Sequence, residues 1–407
     1  MKLAATQRWG GGGVTALALA LVLAACGSVT STSSATSHPT STATPAATAS
    51  PSPTASQPTD PLAACLTAPT GGTPAAWGFG VTEGSKVEVL SISGTVLNTA
   101  AAATYPVTVP VPVGVGQAGI YLYDESSGKL TVLGKSGAAQ DLGTITPTGG
   151  WNGADSISLA ESPNGQCWVF ALNSYGTNQE ATSQIYVGGT GVAPALVTTL
   201  TRSNTAGGGY QALRWDASGV LLGADPTGVG GAGPFISEGY SLSAVVRMDP
   251  QTWALSSPLC SSGRFADEAA DGTLACLTGV GTDTKILVSP PGGSTTTIDT
   301  GSDTTGVVAF VGGSSFLTYC TSAAASSGWS EALLSVALGG SNPSPATLIP
   351  DSAGDDFDGS LAWFRLVGTT SVAEILGGSG PTSLAEVNLT TGQATDIAPA
   401  DSLLGVL

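Results

Sequence analysis

Four pairs of short apolar runs in this chain are joined by two-residue turns: Asn-Gly at 164–165, Ser-Gly at 218–219, Asp-Gly at 271–272 and Gly-Gly at 312–313. Asn-Gly and Asp-Gly supply the positive φ that the tightest hairpins need, so each pair reads as two antiparallel strands. The turns begin 54, 53 and 41 residues apart. A second kind of hairpin, with a longer turn, alternates with the first. It joins 120–124 to 129–133, 184–187 to 195–200, 243–249 to 253–259, 285–289 to 295–299, 331–337 to 346–349 and 383–388 to 393–397. From residue 76 onward no helical periodicity interrupts this pattern, and the chain reads as all-β.

Two hairpins make four strands. Four-stranded units repeating every ~40–50 residues are the signature of β-propeller blades. Six hairpins of the second kind predict six blades, the first built from residues 76–133, whose strands at 77–81 and 86–92 are the least regular. A seventh blade stays open because 137–156 could hide further strands; two β-sandwich domains are the alternative architecture. The domain would span residues 62–407. It resembles bacterial extracytoplasmic propellers of the loose WD-like or Kelch-like kind. That resemblance rests on period and turn placement, without a Trp-Asp, Tyr-Trp-Thr-Asp or double-Gly Kelch signature.

The start of the chain fixes an expected location. Lys2 and Arg8 precede an apolar run over 14–25, the length of a secretory signal's core and too short for a stable membrane span. The run ends in Leu23-Ala24-Ala25-Cys26. These four residues resemble the lipobox of bacterial lipoproteins, which implies cleavage after residue 25 and acylation of Cys26 (palmitate or a similar chain). Two or three acyl chains, at ~0.8 kcal/mol per buried methylene, make a firm anchor where one does not. The lipoprotein would sit on the outer face of the cytoplasmic membrane, or on the outer membrane in a cell that has two.

Residues 26–61 are almost entirely Ser, Thr, Ala and Pro. Such a segment buries too little apolar area to offset its ordering entropy and is expected to be a disordered tether. The net charge of the whole chain is −17, with 28 acidic residues against 11 basic ones. That balance argues against nucleic acid and against an anionic membrane surface as electrostatic partners. The chain's one histidine, His38, falls in the tether. The folded part therefore lacks imidazole for a Ser-His-Asp or Cys-His pair or for a metal site. With Cys26 acylated, Cys65, Cys167, Cys260, Cys276 and Cys320 remain. In an oxidising compartment they allow at most two disulfides, with Cys260–Cys276 the favoured pair.

In a blade whose strands run a-b-c-d, the b–c and d–a connections share one face of the disc. The longest and most polar loops fall there, which makes it the expected binding face: Tyr175, Asp225, Glu238, Tyr240, Asp355, Asp356 and Asp358. The acidic segment 351–359 invites a calcium reading, but an EF-hand register places Gly354 and Arg365 at its first and last ligand positions. A solvated acidic loop is preferred, and no cofactor is expected. Gly134-Lys135-Ser136 resembles the end of a P-loop, yet Lys129 stands where its first glycine belongs. The expected function is a non-catalytic binding module for an envelope protein, peptide or polysaccharide. The alternatives are a glycosidase-like enzyme using paired carboxylates on the same face, and a structural envelope protein without a specific ligand.

Overall fold

The computed structural model describes residues 65, 75–101, 110–149, 156–175, 180–202, 209–224, 244–260, 264–278, 285–299, 303–311, 315–325, 328–338, 347–348, 365–376 and 382–407. Their strands form seven antiparallel sheets. The first holds β1 (Gly78–Glu83), β2 (Lys86–Ser91) and β3 (Val96–Ala101), and the second β4 (Val111–Gly116), β5 (Gly119–Asp124), β6 (Lys129–Leu133) and β7 (Gln140–Thr144). The third holds β8 (Ser156–Glu161), β9 (Cys167–Tyr175), β10 (Ala181–Gly189) and β11 (Val192–Arg202). The fourth has three strands, β12 (Tyr210–Asp216), β13 (Gly219–Ala224) and β14 (Ala244–Met248); an isolated bridge from Met248 to Leu255 stands where a fourth would run. In the fifth are β15 (Arg264–Glu268), β16 (Leu274–Thr278), β17 (Lys285–Ser289) and β18 (Thr296–Ile298). The sixth comprises β19 (Asp303–Val311), β20 (Ser315–Ala325), β21 (Gly328–Ala337) and β22 (Thr347–Leu348). The seventh comprises β23 (Arg365–Val367), β24 (Ser371–Leu376), β25 (Ser383–Asn388) and β26 (Ala394–Pro399). The last strand, β27 (Ser402–Val406), returns to the first sheet and pairs antiparallel with β1, Phe79 opposite Val406.

This is a closed propeller. The final strand supplies the innermost position of blade 1, and the first three strands supply the outer ones. Seven apolar clusters occupy the seven boundaries between neighbouring blades. One joins blades 1 and 2 through Val87, Val89, Leu404, Ile120 and Leu122. The cluster that completes the circle packs Phe79, Val81 and Leu403 of blade 1 against Ala373 and Leu384 of blade 7. A blade is thus covered on both faces, which explains why inner strands read as unbroken apolar runs: every residue of β13 is buried. The outermost strands alternate or are largely exposed, as in β11, where Thr and Pro line a free edge.

The blade number corrects the count of six favoured by the turns, and a single ring replaces the two-sandwich alternative. Residues 76–133 hold not one blade but three strands of blade 1 and three of blade 2. The hairpin 120–133 joins the second and third strands of its blade, whereas the other five long-turn hairpins join third and fourth. The outer strands of blades 1 and 2 account for the missed unit. One, Gln140–Thr144, has a single buried residue in five, and so gives almost no hydrophobic period.

Candidate functional site

The disc has two faces. The a–b and c–d connections share one, and the b–c and d–a connections share the other. Of the expected binding residues, Tyr175 ends β9 at its b–c end, opposite Ala181. Asp225, Glu238, Tyr240, Asp355, Asp356 and Asp358 lie outside the described residues, as do segment 351–359 and the Leu23–Cys26 motif. Cys260 and Cys276 are joined by a disulfide, with their Cα atoms 5.9 Å apart. A second disulfide, Cys65–Cys167, spans 102 residues and pins the chain ahead of β1 to the first residue of β9. Cys65 is buried in the cluster between blades 3 and 4.

The densest charged group among the described residues lies where blades 4, 5 and 6 meet. Arg214, on β12, donates from Nη1 to Asp267 Oδ1 at 3.0 Å and from Nη2 to the Glu268 carbonyl at 3.0 Å. Arg247, on β14, donates to Asp216 Oδ1 at 2.9 Å and also to the Glu268 carboxylate. The backbone N–H of Phe310, on β19, donates to Asp267 Oδ2 at 2.8 Å. Burial pushes the Glu268 carboxyl above its ordinary value, with Arg247 pulling the other way. Two guanidinium groups thus neutralise carboxylates that the fold removes from water, which is the condition for keeping charge between packed sheets.

The sequence carries a faint trace of this cluster. Arg214 and Asp267 are 53 residues apart, the interval between the Ser-Gly and Asp-Gly turns that follow them. They occupy equivalent places on successive inner strands. Taken singly, Asp216 and Asp271 read only as turn residues; Asp216 also accepts from the Ser218 N–H, as turn chemistry requires.

A related clamp joins blades 2 and 3. Glu161, the last residue of β8, accepts from the backbone N–H of Gln117, from that of Ala118 at 3.1 Å, and from the Tyr121 hydroxyl at 2.6 Å. Burial raises the Glu161 carboxyl despite those three donors, and raises the Tyr121 hydroxyl too, helped by the adjacent carboxylate. Trp77 extends the chain of contacts: its indole N–H donates to the Gln117 carbonyl at 3.2 Å, and its backbone N–H to the carbonyl of Leu407 at 2.7 Å.

On the opposite face, Glu83, Lys86 and Glu88 share one side of blade 1, Glu83 opposite Lys86 and Val81 opposite Glu88. Burial and then the Glu83 charge raise the Glu88 carboxyl. Both acids stand on the second and third strands, outward of β27, and so do not converge across the central mouth. Among the described residues no group of three or more His, Cys, Asp or Glu side chains is arranged to hold a metal ion. Glu161, Asp267 and Glu268 instead bind backbone amides, a tyrosine or an arginine of a neighbouring blade. Their chemistry is cohesion.

Neither a protein-family model nor a curated protein sequence matches the chain. Some solved structures are distantly similar to it. The β-propeller domain of the Trilobed protease from Pyrococcus furiosus is 11% identical, with 80% of this chain and 86% of that one covered and a TM-score of 0.42. TolB from Acinetobacter baumannii is 13% identical, with 81% and 66% covered and a TM-score of 0.37. At such identity the likeness is one of fold.

Proposed function

We propose that the protein is an exported, lipid-anchored propeller that works as a non-catalytic binding module in the cell envelope. The observation that carries the reading is the pair of disulfides, one closing a 102-residue loop. Such bonds persist outside the reducing cytosol, which agrees with a signal sequence cleaved before Cys26. Binding is favoured over catalysis because the clustered acids Glu161, Asp267 and Glu268 are spent on holding blades together. Ligand contact falls to the b–c and d–a connections, with Asp355, Asp356 and Asp358 foremost and an envelope protein, peptide or polysaccharide as partner.

Two measurements test this. Cys26→Ala should abolish labelling by a palmitate analogue while export continues; a variant that is still labelled refutes the anchor. Reversing the charge at Asp355, Asp356 and Asp358 together should weaken capture of a partner from envelope extract. Unchanged capture removes that loop from the interface.

A further inference from the structure

The face made by the a–b and c–d connections is unusual over blades 1 to 3. The turns 92–95, 117–118, 134–139, 162–166 and 190–191 carry a single charged side chain, Lys135, in a chain of net charge −17. Lys135 lies 4.0 Å over the ring of Trp77. The large hydrophobic side chains left exposed among the described residues are Ile92 (41%), Val96 (51%), Leu97 (39%) and Leu196 (39%). Ile92, Val96 and Leu97 flank the c–d turn of blade 1, and Leu196 stands on the c–d half of the outer strand of blade 3. Asn98 ties the first of these groups to the Lys135 turn, donating to the carbonyls of Gly134 at 2.9 Å and Gly137 at 3.0 Å.

The chain enters the disc on the same side. Cys65 is bonded to Cys167 at the a–b end of blade 3, and Gly189, opposite Cys167, ends at the neighbouring c–d turn. We infer that this face of blades 1 to 3 rests on a lipid surface, with the b–c and d–a loops turned away from it. The inference rests on the lipid anchor proposed at Cys26. A tether over 26–60 would keep the disc ~30 Å from the anchor on average and never beyond ~100 Å, so a weak apolar contact acts at high effective concentration. The chain's overall charge does not favour an anionic leaflet, but the near absence of acidic side chains from these turns lets this face approach one, and the apolar rim supplies the attraction.

The test uses the oxidised chain from residue 26 onward carrying Cys26→Ala, so that neither an acyl chain nor the apolar run over 14–25 contributes. Its co-sedimentation with phosphatidylcholine–phosphatidylglycerol vesicles is compared with that of the same chain carrying Ile92→Ser, Val96→Ser and Leu97→Ser. The parent should sediment with vesicles, and the triple variant should lose on the order of tenfold in partitioning while keeping its melting temperature. A parent that stays in the supernatant, or a triple variant that sediments equally, overturns the proposal. So does concentration-dependent self-association abolished by the same substitutions, which would assign the rim to a second copy. If instead Cys26 proves not to be the anchor, the acyl-labelling experiment reports it and the vesicle result still stands.

Discussion

Asp267 reaches two neighbours at once: one oxygen accepts from Arg214 at 3.0 Å across the boundary with blade 4, and the other from the Phe310 N–H at 2.8 Å across the boundary with blade 6. A propeller blade has no covalent tie to its neighbours beyond one connection on each side. Apolar clusters supply most of the adhesion but little direction. A carboxylate bridging three inner strands adds direction, because its hydrogen bonds are satisfied only in one relative setting of the sheets.

Asp267→Ala should therefore cost about 2–4 kcal/mol, since it removes one carboxylate partner of a part-buried guanidinium and strands a buried amide. Asp267→Asn, which keeps an acceptor for the Phe310 N–H, should cost less. Urea unfolding reads both, with the slope of the transition unchanged. Equal losses in the two variants would mean that the amide contact contributes nothing.

The two disulfides should differ in worth. Chain-entropy reasoning gives about 4.7 kcal/mol for a loop near 100 residues and about 3 kcal/mol for one near 15. The Cys65–Cys167 loop is 102 residues and the Cys260–Cys276 loop 16. Replacing Cys65 and Cys167 by Ala should lower the unfolding midpoint further than replacing Cys260 and Cys276. The reverse order would show that local packing around Cys260 outweighs loop closure.

How much of this is legible in the sequence follows from where each signal is stored. Asn164-Gly165 and Asp271-Gly272 mark their hairpins by backbone chemistry that works over four residues, so strands and turns are readable there. Ring closure is stored in a pairing between Phe79 and Val406, at opposite ends of the chain, and no local pattern announces it. Turn counting consequently merges blade 1 with blade 2. The clamps are intermediate. Arg214 and Asp267 share a repeat position, but only the ring brings successive positions together. Cys65–Cys167 is one of several pairings that cysteine arithmetic permits.

Gly188 sits directly opposite Trp168 on the neighbouring strand, and a Cβ there would lie 2.3 Å from the indole ring. The ring is fully buried in the cluster that also holds Tyr121, Phe170 and Tyr186. Gly188→Ala should cost about 1–3 kcal/mol, the usual penalty for overpacking, and should shift the tryptophan emission. Gly191→Ala is a control of another kind: it meets no atom within 4 Å but has φ +75°, so its cost is purely conformational and the emission should not change.

Glu161 predicts a pH dependence of defined sign. Burial raises its folded-state pKa above 4.5, the hydrogen bonds from Tyr121, Ala118 and Gln117 offsetting only part of the effect. The folded state then holds the proton more tightly than the unfolded one. The stability this contributes is fully present below the unfolded pKa and is lost as pH rises through the folded value. Glu268 shifts in the same direction, again through burial. Asp124 and Asp271 shift the opposite way, held down by Ser126 and Thr273, and their contribution disappears only as pH falls below 3.8. Glu161→Gln cannot ionise and keeps one acceptor oxygen of the two that serve Gln117, Ala118 and Tyr121. The parent should lose stability as pH climbs above 4.5, and the variant should lose less over that window while matching the parent's decline on the acid side. No histidine follows residue 38, and the other carboxyls that burial raises, Glu88 and Glu268 among them, are common to parent and variant and drop out of the difference. Urea midpoints taken across that range decide the matter: parallel curves for parent and variant would mean that Glu161 titrates in the folded protein as it does in the unfolded chain.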